Sequence, residues 1–126
     1  MSTVSVTPRQ GFGFTDGILP GKCPSRTVLD HVTSKWGVLV LVALSEESLR
    51  WGQLHRVVDG ISEKMLAQTL KVLEADGFVL RVAQPIIPPR VDYSLTVRGR
   101  ELTERLLPLM DWISVNADDI LSTPAR

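Results

Sequence analysis

Residues 62–83 read SEKMLAQTLKVLEADGFVLRVA, and the fold turns on how this stretch is read. Ser62 carries the side-chain oxygen of a helix N-cap, able to accept from the unpaired N–H groups of a first turn, and Glu63 puts negative charge at the same end. Leu66, Leu70 and Leu73 then recur at the three- and four-residue spacing that gives a helix one apolar face. Asp76 and Gly77 end it, the glycine supplying the left-handed residue with which helices stop. Phe78 to Ala83 follows as a strand. The helix therefore has an anchoring face and a free face, and the free face holds Lys64, Gln68 and Lys71, with Ser62, Met65 and Thr69 near its margin.

Downstream, Gln84 to Arg90 (QPIIPPR) is too rich in proline to be helical or centrally paired. Val91 to Leu95 reads as the second strand of a hairpin. Thr96 is a further N-cap candidate, and from it a long amphipathic helix runs to about Leu121, with Leu102, Leu106, Leu109, Ile113, Ala117 and Ile120 on one stripe. Pro108 inside it removes one helical hydrogen bond and predicts a bend.

Upstream, an Asp59-Gly60 turn closes a brief amphipathic helix over Gln53 to Val58, preceded by a short extended piece at Leu49 to Trp51. Lys35 to Ser45 is apolar nearly all round. Periodicity does not separate a buried strand from a buried helix there, while length and the short helix after it favour a central buried helix. Pro24 suits the first position of an earlier helix whose apolar face is Val28, Leu29 and Val32. Residues 1–21, with four glycines and two prolines and no apolar period, read as a flexible arm before a domain over 22–122.

The expected fold class is thus α+β and mostly helical: a winged helix-turn-helix with an added C-terminal dimerisation helix over about 96–121. The short helix, tight turn and capped second helix form the helix-turn-helix, and the two strands form the wing. A helix fits the major groove of duplex DNA, where Lys and Gln can hydrogen-bond base edges, and Arg81 and Arg90 of the wing are placed for phosphate or the adjacent minor groove. The same residues also suit an ordinary solvated helix beside a hairpin, which leaves a winged-helix protein-interaction module as the alternative.

Composition supports one domain. The chain has 126 residues, 44% of them hydrophobic, and the run Val38–Leu44 is too short to span a bilayer. No secretory signal is read at the N-terminus, and a cytoplasmic, nucleoid-associated protein is expected. Net charge is zero, but residues 48–100 hold eight basic and five acidic groups while 101–126 hold two and five. A basic middle beside an acidic tail fits a molecule with one DNA-facing side. A single cysteine excludes an intramolecular disulfide, and His31 and His55 stand apart from other ligand types, so no metal site is expected. No phosphate-cradling glycine loop, nucleophile elbow or paired metal-ligand motif is present, which argues against an enzyme and against a cofactor.

Several short motifs also resemble those of the HxlR-type, MarR-like winged-helix bacterial transcriptional regulators. They are Cys23-Pro24, Ser34-Lys35-Trp36, Gly60 through Leu66 (GISEKML), Leu73 through Gly77 (LEADG), and Pro88 through Thr96 (PPRVDYSLT) with Gly99 beyond. The match runs in register from about Cys23 to Ile113. The resemblance implies dimeric regulators in which 62–76 is the recognition helix and the hairpin is the wing. Thr69 departs from the pattern, since relatives often carry a longer basic or amide side chain there.

Cys23 stands at a helix start beside Lys22 and Arg26, a setting in which thiols react with oxidants. In some HxlR-type relatives a cysteine at this position senses oxidants or electrophiles; the alternative is a small, unreactive residue against the dimer partner. A small-molecule effector is a further possibility for the switch. Trp36 and Trp51 read as packing residues and Trp112 as interfacial, while Arg50 is as well suited to solvent as to phosphate. A domain of this size would struggle to bury Leu102 to Ile120 alone, so pairing with a second subunit is expected. That would set two recognition helices about 34 Å apart over an inverted repeat.

Overall fold

The computed structural model describes Gly21 and residues 23–122. The arm expected over 1–21 therefore lies, but for Gly21, outside the described residues. The chain divides into two units, one ending at Ser34 and one beginning at Lys35.

In the first unit, helix α1 spans Pro24–Val32 with Pro24 in its first turn. Cys23 takes the N-cap position in an extended conformation, and no side-chain hydrogen bond caps this end. At the other end the Thr33 hydroxyl donates to the Leu29 carbonyl at 2.6 Å.

The second unit holds α2 (Lys35–Ala43), β1 (Leu49–Arg50), α3 (Trp51–Val57), α4 (Glu63–Ala75), β2 (Val79–Gln84), β3 (Arg90–Leu95) and α5 (Val97–Ser122). The apolar run at 35–45 is a helix and not a strand. Val40 and Leu41 lie at its inner side with no exposed surface, and α2 packs against both α4 and α5. Leu44, Leu54, Leu66 and Leu73 complete the most deeply buried set, so one core is shared by α2, α3 and α4.

The three strands form an antiparallel sheet in the order β1-β3-β2. Leu49 pairs with Tyr93 and Arg50 with Asp92 on one side of β3; Val79 pairs with Leu95 and Gln84 with Arg90 on the other. β1 is only two residues long because Trp51 already begins α3. The main chain at Arg50 is held to that helix by its N–H, which donates to Gln53 Oε1 at 2.9 Å.

Both ends of α4 are fixed as its sequence demands. Ser62 Oγ accepts from the Met65 N–H at 3.0 Å. Gly77 sits at φ 83°, the Gly77 N–H donates to the Glu74 carbonyl, and the Phe78 N–H donates to the Leu73 carbonyl at 2.9 Å. This is the paired closure that a left-handed residue allows, and it turns the chain straight into β2.

The start of α5 is bonded to this same corner. The Thr96 hydroxyl donates to the Gly77 carbonyl at 2.6 Å and accepts from the Gly99 N–H at 3.0 Å, which makes it the N-cap expected. The Thr96 N–H donates to the Phe78 carbonyl, and Arg98 Nη1 donates to the Asp76 carbonyl at 2.9 Å. Gly99 is buried where a Cβ would collide with the Phe78 carbonyl oxygen, so the approach of α5 to the corner requires glycine. Pro108 lies inside α5 without ending it.

Candidate nucleic-acid interface

Helix α4 divides cleanly. Leu66, Thr69, Leu70 and Leu73 are buried, whereas Lys64, Ala67, Gln68, Lys71 and Ala75 are exposed along one stripe, with Met65 beside it. Of the residues expected on the free face, Ser62, Lys64, Met65, Gln68 and Lys71 are exposed. Thr69 is not: it is only 9% exposed, because it flanks Leu73 at the edge of the apolar face and is turned inward with the leucines. Its expected contact with a ligand is corrected on that ground.

The hairpin places Arg81 and Arg90 differently. Arg81 is exposed mid-strand on β2, opposite Tyr93. Arg90 opens β3, where its Nε donates to Asp92 Oδ1 at 3.0 Å while the side chain stays 45% exposed. Asp92 also accepts from Gln84 Nε2 at 3.0 Å. The Arg90 hydrogen bond does most to hold the Asp92 carboxyl below its usual range; burial opposes it, and the Gln84 hydrogen bond and the charges of Arg90 and Arg50 add further lowering. Arg90 is thus oriented by a carboxylate on its own strand. The tip between the strands is apolar, with Ile86 half-exposed and Ile87 almost wholly exposed.

The stripe expected for dimerisation splits in two. Leu106 is buried and Leu102 half-buried within this chain, because the first turns of α5 pack on α2 and β3. Leu106 therefore belongs to the chain's own core, which corrects its place at an interface. Leu109, Ile113 and Ile120 are exposed at 53%, 41% and 52%, and Ala117 is half-buried. Trp112, Val115 and Leu121, none of them on the expected stripe, add exposed apolar surface on the same half of the helix.

Sequence reasoning gave Arg98 and Arg56 no role. Arg98 closes the carboxyl end of α4, and a side chain reaching back 22 residues to a main-chain oxygen leaves no local pattern to read. Among the described residues there is no group of three or more side chains able to hold a metal ion, and no helix long and apolar enough to cross a membrane.

A short helix, a glycine turn, a capped second helix with a cationic and amide face, and a hairpin directly after it define a winged helix-turn-helix protein. The sequence pattern of the HxlR-like helix-turn-helix family matches residues 31–120, and the chain belongs to that family. It is 48% identical over 122 residues to the uncharacterized HTH-type transcriptional regulator YtfH of Escherichia coli (strain K12), an alignment that covers 97% of this chain and 94% of that one. Among solved structures, ytfH from Salmonella typhimurium superposes with a TM-score of 0.76 at 51% identity, covering 80% of this chain and 90% of the other. The redox regulator HypR superposes in its reduced form with a TM-score of 0.72 at 33% identity, covering 80% of this chain and 100% of the other. In its oxidized form the values are 0.69 and 34%, with 75% and 97% covered.

Proposed function

We propose that this protein is a cytoplasmic, homodimeric transcriptional regulator that binds a specific inverted-repeat site in duplex DNA and catalyses no reaction. The observation that carries this reading is the exposed stripe Lys64, Gln68 and Lys71 on a helix anchored by three buried leucines and capped at both ends. Side chains of this kind can donate to guanine O6 and N7 or pair with adenine N6 and N7 from a helix in the major groove. Arg81 and Arg90 of the wing take phosphate or the minor-groove edge. The exposed half of α5, from Leu109 to Leu121, pairs with its copy in a second subunit and brings two recognition helices onto one DNA face.

The test is fluorescence anisotropy of the purified protein on its own upstream intergenic DNA and on an unrelated duplex of equal length, at two salt concentrations. Selective binding that weakens with salt supports the reading. Equal or absent binding to both duplexes overturns it in favour of a protein-interaction module. Arg90→Ala is expected to weaken binding to both duplexes and to flatten the salt dependence by about 0.9 in log–log slope for each lost phosphate contact. Unchanged slope would remove Arg90 from the backbone contacts.

A redox input through Cys23 is favoured over a small ligand by the likeness to HypR, a redox regulator solved in two oxidation states. Cys23 is partly accessible at the N-cap of α1 and is a free thiol. Because the chain has one cysteine, an intersubunit disulfide would form by loss of two electrons and two protons from two Cys23 thiols to an oxidant such as diamide. Treatment with diamide is expected to change DNA affinity at least several-fold in the wild type and to leave Cys23→Ser unaffected. An identical response in both proteins would rule the thiol out as the sensor.

A further inference from the structure

The first turn of α3 and the tip of the wing face each other across a groove of about 460 Å3, whose sides include Arg50, Trp51, Ile86, Pro88, Pro89 and Arg90. A second hollow of about 290 Å3 shares Arg50 and Gly52 with it and adds Gln53 and Arg56. Gly52 matters here because it has no side chain. Arg56 Nη1 lies 3.8 Å from where its Cβ would be, so the guanidinium lies against the first turn of α3, and Arg56 and Arg50 line the same hollow.

The charge of this region is one-sided. Arg50 stands opposite Asp92 in the register of β1 on β3, where its charge acts on the Asp92 carboxylate without an ion pair of its own among the described residues. Arg90 Nε is bonded to that carboxylate, and Arg56 forms no ion pair among the described residues. Three guanidinium groups are thus set against one carboxylate. Between them stand apolar surfaces supplied by Trp51, Ile86 and the two prolines. The groove is open along one side and not enclosed, unlike a cavity that wraps a small molecule.

We propose that this groove is a seat for the sugar-phosphate backbone of duplex DNA, a contact independent of base sequence and separate from the reading face of α4. A nucleic-acid strand alternates anionic phosphates with apolar deoxyribose, and the groove offers the matching alternation. Arg50, Arg56 and Arg90 take phosphate oxygens in forked pairs, and Trp51, Pro88 and Pro89 pack on the sugars. The seat links the helix-turn-helix to the wing, so one backbone strand is held from both sides. It rests on the DNA-binding reading above and adds to it two arginines that neither the recognition helix nor the wing contains.

The experiment compares the wild type with Arg56→Gln, Arg56→Lys and the double variant Arg50→Gln/Arg56→Gln by anisotropy, on the upstream duplex and an unrelated one, through a series of salt concentrations. All these side chains are exposed, and melting curves confirm folding for each protein. In the double variant, affinity for both duplexes is expected to fall in parallel, keeping their ratio. The log–log salt slope is expected to fall by about 0.9 for each arginine, hence about two for each protomer. Arg56→Gln alone shows about half the effect, and Arg56→Lys keeps the slope. An unchanged slope in a protein whose wild type binds with salt dependence and loses selectivity in Lys64→Ala overturns the seat while leaving DNA binding intact. A wild type that binds neither duplex overturns both. A melting temperature raised by inorganic phosphate in the wild type only, with an unchanged DNA slope in the double variant, assigns the groove to a free anion and also overturns the seat.

Discussion

Leu66→Ala is expected to lower the unfolding free energy by about 2–5 kcal/mol, as large-to-small changes at fully buried leucines do. Leu66 has no exposed surface, and it lies on the face of α4 that packs against α2. Truncation removes transfer energy and leaves a void that neighbouring leucines fill only in part. Set against the roughly 5–15 kcal/mol that a domain of this kind holds in reserve, the loss is a large share. Urea denaturation monitored by the far-ultraviolet signal measures it. A change below about 1 kcal/mol would mean that α4 is not seated as described. The substitution touches no exposed side chain of the reading face, so any fall in DNA affinity at a temperature where the variant is still folded reports the tilt of the helix.

The second large effect is on recognition. Lys64→Ala and Gln68→Ala are each expected to cost about 1–3 kcal/mol in affinity for the specific duplex, roughly 5- to 150-fold. Both side chains are exposed on α4, so the melting temperature should stay within a degree or two of the wild type. Competition titration separates the two readouts, since loss of a base contact lowers the ratio of specific to unrelated affinity. Two variants that bind both duplexes as the wild type does would take the reading role away from α4.

The elements whose ends are governed by local chemistry are legible in the sequence alone. Ser62, Gly77 and Thr96 each mark a boundary through a bond made within a few residues, and all three sit at the ends they imply. The run at 35–45 was open to two readings, since it is apolar on all sides; only its packing between α4 and α5 decides for a helix. Thr69 and Leu106 show the limit of periodicity. A stripe has a width, and whether a residue at its margin turns in or out depends on how the helix is rolled against its neighbours. Thr69 lies one position from the free face and is rolled under; Leu106 lies on the long apolar stripe but within reach of α2 and β3. The charges around Asp92 were beyond sequence reading altogether, because Arg50 and Arg90 are forty residues apart and meet only through the register of β1 on β3.

The corner at Gly77 has a mechanical meaning. Three hydrogen bonds cross from the end of α4 and its exit to the start of α5, from the Thr96 hydroxyl and N–H and from Arg98, and the buried Gly99 leaves no slack beneath them. The two helices are therefore welded at one point, and their mutual angle is set inside the chain. Helix α5, with 26 residues, is a crank arm about 39 Å long. A swing of about 5° along that length moves its far end by about 3 Å, close to the rise of one base-pair step. Whatever grips the outer half of α5 thereby sets the aim of α4.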